Sequence, residues 1–119
     1  MSYVNRVTLI GNVVRDPEIK MTASGKSVAN FTVATNEFWK DAQGETQSDA
    51  EYHSCVSWAQ QADIVEKYFR AGLKVYVEGR IKTSTYEKDG EKRKNTQIVT
   101  SRNITLTQEP EVENDRAKF

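Results

Sequence analysis

Cysteine and histidine occur once each in this chain of 119 residues, as Cys55 and His53, and only two prolines interrupt it. A single thiol excludes an internal disulfide framework and fits a reducing compartment. Zinc wants four soft or borderline ligands, and one thiol with one imidazole cannot supply them. A Cys–His nucleophile pair is no better served. At i and i+2 on one strand face the two side chains stand about 7 Å apart, with no third group to orient them. They read instead as an interface or barrel histidine beside a small buried thiol. No phosphate-cradling glycine loop is present, because the six glycines are scattered at turns. Paired carboxylates occur only in segments that read as hydrated loops. Neither an enzyme nor a bound metal or other cofactor is expected. Long apolar runs are also missing, and with a mean hydropathy of −0.71 this excludes a membrane-spanning helix. Residues 1–6 have no apolar signal core and no Arg/Ser-rich transit character. The expectation is a soluble, intracellular chain with one domain, since a second core does not fit in this length.

Net charge is absent too, with seventeen bases against seventeen acids, which argues against a histone-like positive coat. The placement of those charges does not cancel. Residues 67–102 hold ten Lys or Arg against four acids, whereas residues 37–66 hold one lysine against seven acids. A blandly solvated surface more often mixes the signs.

What the chain has is alternation. Residues 4–14 are rich in β-branched side chains without a helical period and read as a strand. Asp16-Pro17 breaks it, and residues 19–21 can pair briefly before the turn at Ser24-Gly25. Residues 28–37 give the clearest strand: Ala29, Phe31 and Val33 alternate with Asn30, Thr32 and Ala34. Trp39 follows, then a polar, acidic loop around Gly44. In residues 52–58 the alternation resumes, with Tyr52, Ser54, Val56 and Trp58 on one face. Residues 60–70 switch to helical spacing, with Ala62, Val65 and Phe69 as the stripe, Ile64 and Tyr68 widening it, and Gly72 as its stop. A long strand follows over 74–86, with Val75, Val77 and Ile81 on one side and Arg80, Lys82, Ser84 and Tyr86 on the other. Asp89-Gly90 is a hairpin signal. The last strand spans 96–106, with Ile98, Ile104 and Leu106 as its apolar positions. This all-β order of three strands, one helix and two strands suits a five-stranded OB-fold Greek-key barrel with one helix between strands 3 and 4. A half-open sheet with a helix fits the same spacing.

Aromatic placement points to binding. Phe31, Phe69 and Tyr68 fall on core positions, but Trp39, Tyr52, Trp58 and Tyr86 do not. They lie among cations and small polar residues, including Lys40, Arg80, Lys82, Asn30 and Thr32. Bases stack on such rings while Lys and Arg follow the phosphates, which is what single-stranded nucleic acid requires. An exposed aromatic sheet face serves a protein interface equally well, so an OB module of the primosome-accessory type stands as the alternative.

The residues Asn5-Arg6-Val7-Thr8-Leu9-Ile10-Gly11-Asn12, then Arg15-Asp16-Pro17-Glu18, then residues 24–36 resemble the bacterial and mitochondrial single-stranded DNA-binding protein family. Glu51-Tyr52-His53, the helix around Ala62-Asp63-Ile64-Val65 and Val75-Tyr76-Val77-Glu78-Gly79-Arg80 follow in the same order, so the resemblance covers residues 4–106. It implies a homotetramer of OB folds that wraps single-stranded DNA without sequence preference during replication, repair and recombination, in the cytoplasm and on the nucleoid. It also implies stacking at Trp39, Tyr52, Trp58 and Tyr86, all four still aromatic. DNA contacts are implied at Arg6, Asn12, Lys20, Asn30, Thr32, Lys40, Arg80, Lys82, Lys92 and Arg93. Ser54, Ser84 and Gln60 stand where the family commonly has a base, which implies a shallower salt dependence. His53 matches a subunit-interface histidine, and Tyr3 and Tyr76 are further interface candidates.

The domain is expected over 1–107 and a short disordered tail over 108–119. The family's long linker and acidic tip have no counterpart in that tail. Arg116 and Lys118 offset its acids near Phe119, which weakens the case for recruiting replication and repair proteins through it.

Overall fold

Apolar side chains at every second position give the chain one sheet face to bury, and the structure, a computed structural model describing residues 2–106, closes that face into a barrel. The elements are β1 (Val7–Val13), β2 (Glu18–Met21), β3 (Ser27–Lys40), β4 (Thr46–Trp58), α1 (Gln60–Tyr68), β5 (Lys74–Lys88) and β6 (Glu91–Thr105). The sheet order is β1-β5-β6-β4-β3-β2, with β1 also pairing β3. Five strands therefore close on themselves, and β2 adds only to β3. β4 and β6 run parallel, and every other pairing is antiparallel. This is the expected OB barrel. The helix follows its third barrel strand, which becomes fourth in simple count because the short β2 intervenes. The tail expected at 108–119 lies outside the described residues.

The core is built from Ala29, Phe31 and Val33 of β3, Cys55 of β4, Val75 and Val77 of β5, and Ile98 of β6. Against them α1 packs Ala62 and Val65, and Phe69 follows just past its end. The Phe31 and Phe69 rings meet edge to face at 5.2 Å, a geometry contributing about 0.5–1.5 kcal/mol beyond area burial. Tyr68 departs from the expected core position. At about 100° per residue it lies roughly 120° around the helix from Ala62. It is exposed, with the Lys67 ammonium 5.3 Å from its ring centroid.

A β-bulge corrects a second expectation. Gly79 pairs with Thr100 but Glu78 pairs with Arg102, leaving Ser101 as the extra residue of β6. One inserted residue exchanges the two faces of everything beyond it. Ile98 and Thr100 point inward before the bulge and Asn103 after it, while Ile104 and Leu106 turn out to the surface. The buried Asn103 amide Nδ2 donates to Gln61 Oε1 and Thr100 Oγ1, each at 2.9 Å, and the Ser57 and Thr100 hydroxyls hydrogen-bond beside it. This polar set ties α1 to β4 and β6.

Two hairpins run past the barrel as arms. β3 and β4 stay paired from Val28↔Trp58 to Lys40↔Thr46, so Trp39 and much of the expected acidic loop are strand. β5 and β6 stay paired to Lys88↔Glu91, closed by Asp89-Gly90 with both residues at positive φ as a type I′ turn needs. At the other end β1 starts at Val7, later than expected, and Tyr3 precedes it. Asn5 extends the pairing through its side chain, donating to the Ile81 carbonyl and accepting from the Ile81 N–H, each at 2.9 Å.

Gly11 and Gly79 mark where strands cross too closely for a side chain. A Cβ at Gly79 would lie 2.2 Å from the Val99 carbonyl oxygen, and one at Gly11 would lie 2.3 Å from that of Ala34. Gly79→Ala is expected to lower stability by about 1–3 kcal/mol through overpacking against backbone. The check is the urea midpoint by circular dichroism, and an unshifted midpoint would refute the close approach.

Candidate nucleic-acid interface

Strand register decides which predicted residues can act together. Directly opposed residues in a ladder share a face. Through Asn30↔Val56, Thr32↔Ser54, Ala34↔Tyr52 and Val28↔Trp58, the rings of Tyr52 and Trp58 lie on one face with the small polar side chains of β3. β2 adds Lys20 to it through Lys20↔Val28. On the β5–β6 side, Lys82↔Gln97 and Tyr86↔Arg93 place Arg80, Lys82, Ser84, Tyr86 and Arg93 together. The parallel contact Val56↔Val99 joins the two halves in phase. Gln97 Nε2 bridges them, donating to Asn30 Oδ1 and Ser54 Oγ, each at 3.4 Å. The outcome is a continuous outer surface with Tyr52 65%, Tyr86 47% and Trp58 44% exposed.

Other candidates fall elsewhere. Trp39 pairs with Gln47, which puts it on the opposite face of the β3–β4 ladder from Tyr52 and Trp58. Lys92 opposes Glu87 and lies on the reverse of the β5–β6 arm from Arg93, so the run 92–94 cannot present all its charges to one ligand. Asn12 donates its amide to the Gly72 carbonyl at 3.2 Å, a contact that holds the turn before β5. Arg6 reaches Glu78 at 3.0 Å and lines a cavity of about 380 Å³ together with Arg80. Lys20 keeps a loose ion pair with Glu18 at 3.7 Å. Lys40, at the end of the first arm, returns to the face of Tyr52.

Sequence reasoning missed three members. Gln97 was invisible because nothing in its neighbourhood marks a bridging amide. Arg15, in the β1–β2 connection, borders a polar cavity of about 260 Å³ with Asn30, Thr32 and Ser54. Phe38 shares the Tyr52 face, and strict alternation through 34–40 was the signal that could have found it.

The interface candidates divide as well. His53 Nε2 lies 2.9 Å from Thr35 Oγ1, and His53 borders an apolar seam of about 430 Å³ with Val7, Leu9, Ile81 and Ile98. Tyr76, half-buried, pairs with Ile10 on one side and Ile104 on the other, all on the barrel's outer surface. Tyr3 is exposed and in no strand. Among the described residues no group of three or more His, Cys, Asp or Glu side chains is placed to hold a metal ion. No described helix is long and apolar enough to cross a membrane.

The profile of the Single-strand binding protein family matches residues 4–107. The chain belongs to that family. Among curated relatives, the Single-stranded DNA-binding protein 1 of Chlorobaculum tepidum is 46% identical over 98 residues, 81% of this chain. The chain spans 60% of that relative's length. Among solved structures, a Plasmodium falciparum SSB complex with ssDNA superposes with a TM-score of 0.80 at 34% identity, over 90% of this chain and 98% of that one. A deletion mutant of the single-stranded DNA-binding protein from Thermus aquaticus gives 0.76 at 27% identity, over 87% of this chain and 51% of that one. Within this family fold the outer strand surface is the place to look for ligand contacts, because inward positions are filled by the core.

Among the described residues, Asp41 and Cys55 have titrations shifted by their surroundings. The Asp41 carboxylate at the first arm's turn lies below its ordinary value, chiefly because the Glu45 N–H donates to it, assisted by the Gln47 amide and the Gln43 N–H. Desolvation pushes the Cys55 thiol up from 9.0 to about 12. A raised thiol pKa leaves stability intact below 9.0 and removes it as pH climbs toward 12. The native protein should therefore resist iodoacetamide at pH 8, and its urea midpoint should fall between pH 9 and 11 more steeply than that of Cys55→Ala. Rapid native alkylation would contradict the burial.

Proposed function

We propose that this protein binds single-stranded DNA without base preference, as a non-catalytic coating and organising protein of replication, recombination and repair. One observation carries the reading. The register gathers Tyr52, Trp58 and Tyr86 with Arg80, Lys82 and Arg93 on one continuous surface. Rings accept any base by stacking at about 1–3 kcal/mol each, and the cations follow the backbone. The small side chains of Asn30, Thr32 and Ser54 leave the surface between the rings flat enough for a base to approach. The single-stranded DNA in the Plasmodium complex and the name of the Chlorobaculum relative support it. An intracellular, nucleoid-associated setting follows from that ligand.

A homotetramer completes the reading. Ile10, Tyr76 and Ile104 form an outward apolar strip on β1, β5 and β6, and the His53 seam exposes Val7, Leu9 and Ile81. A lone barrel leaves both in water, whereas a second copy removes them from it. The binding domain of this reading is residues 1–107.

Tryptophan fluorescence titrated with oligo-dT, a mixed-sequence strand and the matching duplex tests the ligand. Quenching by both single strands and little by duplex is expected, and no quenching by any of them would refute the reading. Trp58→Ala should weaken oligo-dT binding by about 1–3 kcal/mol with native circular dichroism. Unchanged affinity would remove Trp58 from the site.

His53→Lys tests the assembly, since an unpaired ammonium in an apolar seam is costly. Light scattering should show a shift toward dimer or monomer in a folded variant. An unchanged mass would reject His53 as an interface residue.

A further inference from the structure

The β3–β4 arm has two chemically different faces. Asn36↔Ala50, Phe38↔Ser48 and Lys40↔Thr46 lie on one, in line with Tyr52. Thr35↔Glu51, Glu37↔Asp49 and Trp39↔Gln47 lie on the other. All three carboxylates of the paired strands therefore lie on the face of Trp39, and with Thr35 they border a cavity of about 240 Å³. The Phe38 face carries no carboxylate and one ammonium. Phe38 is 68% exposed, against 49% for Trp39. Phe38 extends the row of exposed rings that Trp58 and Tyr52 begin on the same face, and a contiguous row, unlike a single exposed residue, marks a binding surface.

We infer that Phe38 is a further base-stacking platform and that Lys40, two residues along the same face, contacts a phosphate of the same strand. The inference rests on the single-stranded DNA reading above. Same-face neighbours on a strand stand about 7 Å apart, close enough for one ring and one ammonium to hold neighbouring parts of one chain. The face continues from Tyr52 through Ala34 and Asn36 to Phe38, and this stretch of the ladder carries no carboxylate.

The test is oligo-dT titration of the parental protein, Phe38→Ala, Phe38→Leu, Phe38→Trp, Lys40→Ala and Trp58→Ala, each at several salt concentrations, with circular dichroism and light scattering to confirm fold and assembly. Phe38→Ala and Phe38→Leu should each weaken binding about five- to hundredfold with an unchanged salt slope, and Phe38→Trp should retain parental affinity. Lys40→Ala should instead flatten the salt slope by about 0.7. Parental affinity in Phe38→Ala, or in Phe38→Leu, overturns the stacking role of Phe38, while loss of binding in Trp58→Ala shows that the underlying reading stands. A parental protein that does not bind oligo-dT overturns both.

Discussion

Closing five strands into a barrel requires one strand to serve two neighbours, and β1 does so within seven residues. Most of its length pairs with β5, and its last two positions, Asn12 and Val13, pair with Ala34 and Val33 of β3. The transfer succeeds because Gly11 has no side chain where the Ala34 carbonyl passes. Everything else follows from that seam. Phe31, Val33, Val75 and Val77 meet as one core instead of two half-buried sheets, and α1 can cover them through Phe69. The bulge at Ser101, set against Gly79, works with it by letting β6 bend around the closed barrel while still filling the interior with Asn103.

With the interior full, side-chain alternation becomes a sorting device. Inward positions build the core, so whatever chemistry the strands offer must sit on the alternate set. On the outside of the barrel that rule yields a polar, ring-bearing surface over four strands. On the β3–β4 arm, where neither face is buried, the same rule separates charge: Glu37, Asp49 and Glu51 gather on one side of the ladder, and the other carries Lys40 and no acid. The neutral whole-chain charge conceals a strand-by-strand polarity, which matters to a polyanion that runs close to the surface.

Much of this was readable from the residues. The β3 alternation of Ala29, Phe31 and Val33, the Asp89-Gly90 turn and the helical stripe at 62, 65 and 69 each have a local cause, and each stands in the structure. Local signals failed where pairing overrides propensity. Asp49 and Glu51 are poor strand formers, yet the β3–β4 ladder carries them because the two strands stay paired out to Lys40↔Thr46. The bulge at Ser101 has no sequence mark of its own, so Ile104 and Leu106 read as inward. Grouping the four rings also ran ahead of the register: Tyr52 and Trp58 share a face, whereas the odd-numbered Trp39 does not. Lys92 and Arg93, adjacent in sequence, part company for the same reason.

The arms also divide the molecule into two tiers of local stability. Barrel strands are tied by ladder and core together, but residues 80–96 are exposed almost throughout and hold their shape by cross-strand pairing and one tight turn. Two-stranded ribbons without a hydrophobic side are marginal on their own. Such segments open independently of the domain that carries them, and their amide protons exchange long before those of the core. Under the proposed function, a polymer lying across both arms would supply the layer that each ribbon lacks. Part of its binding free energy would then go into ordering the arms.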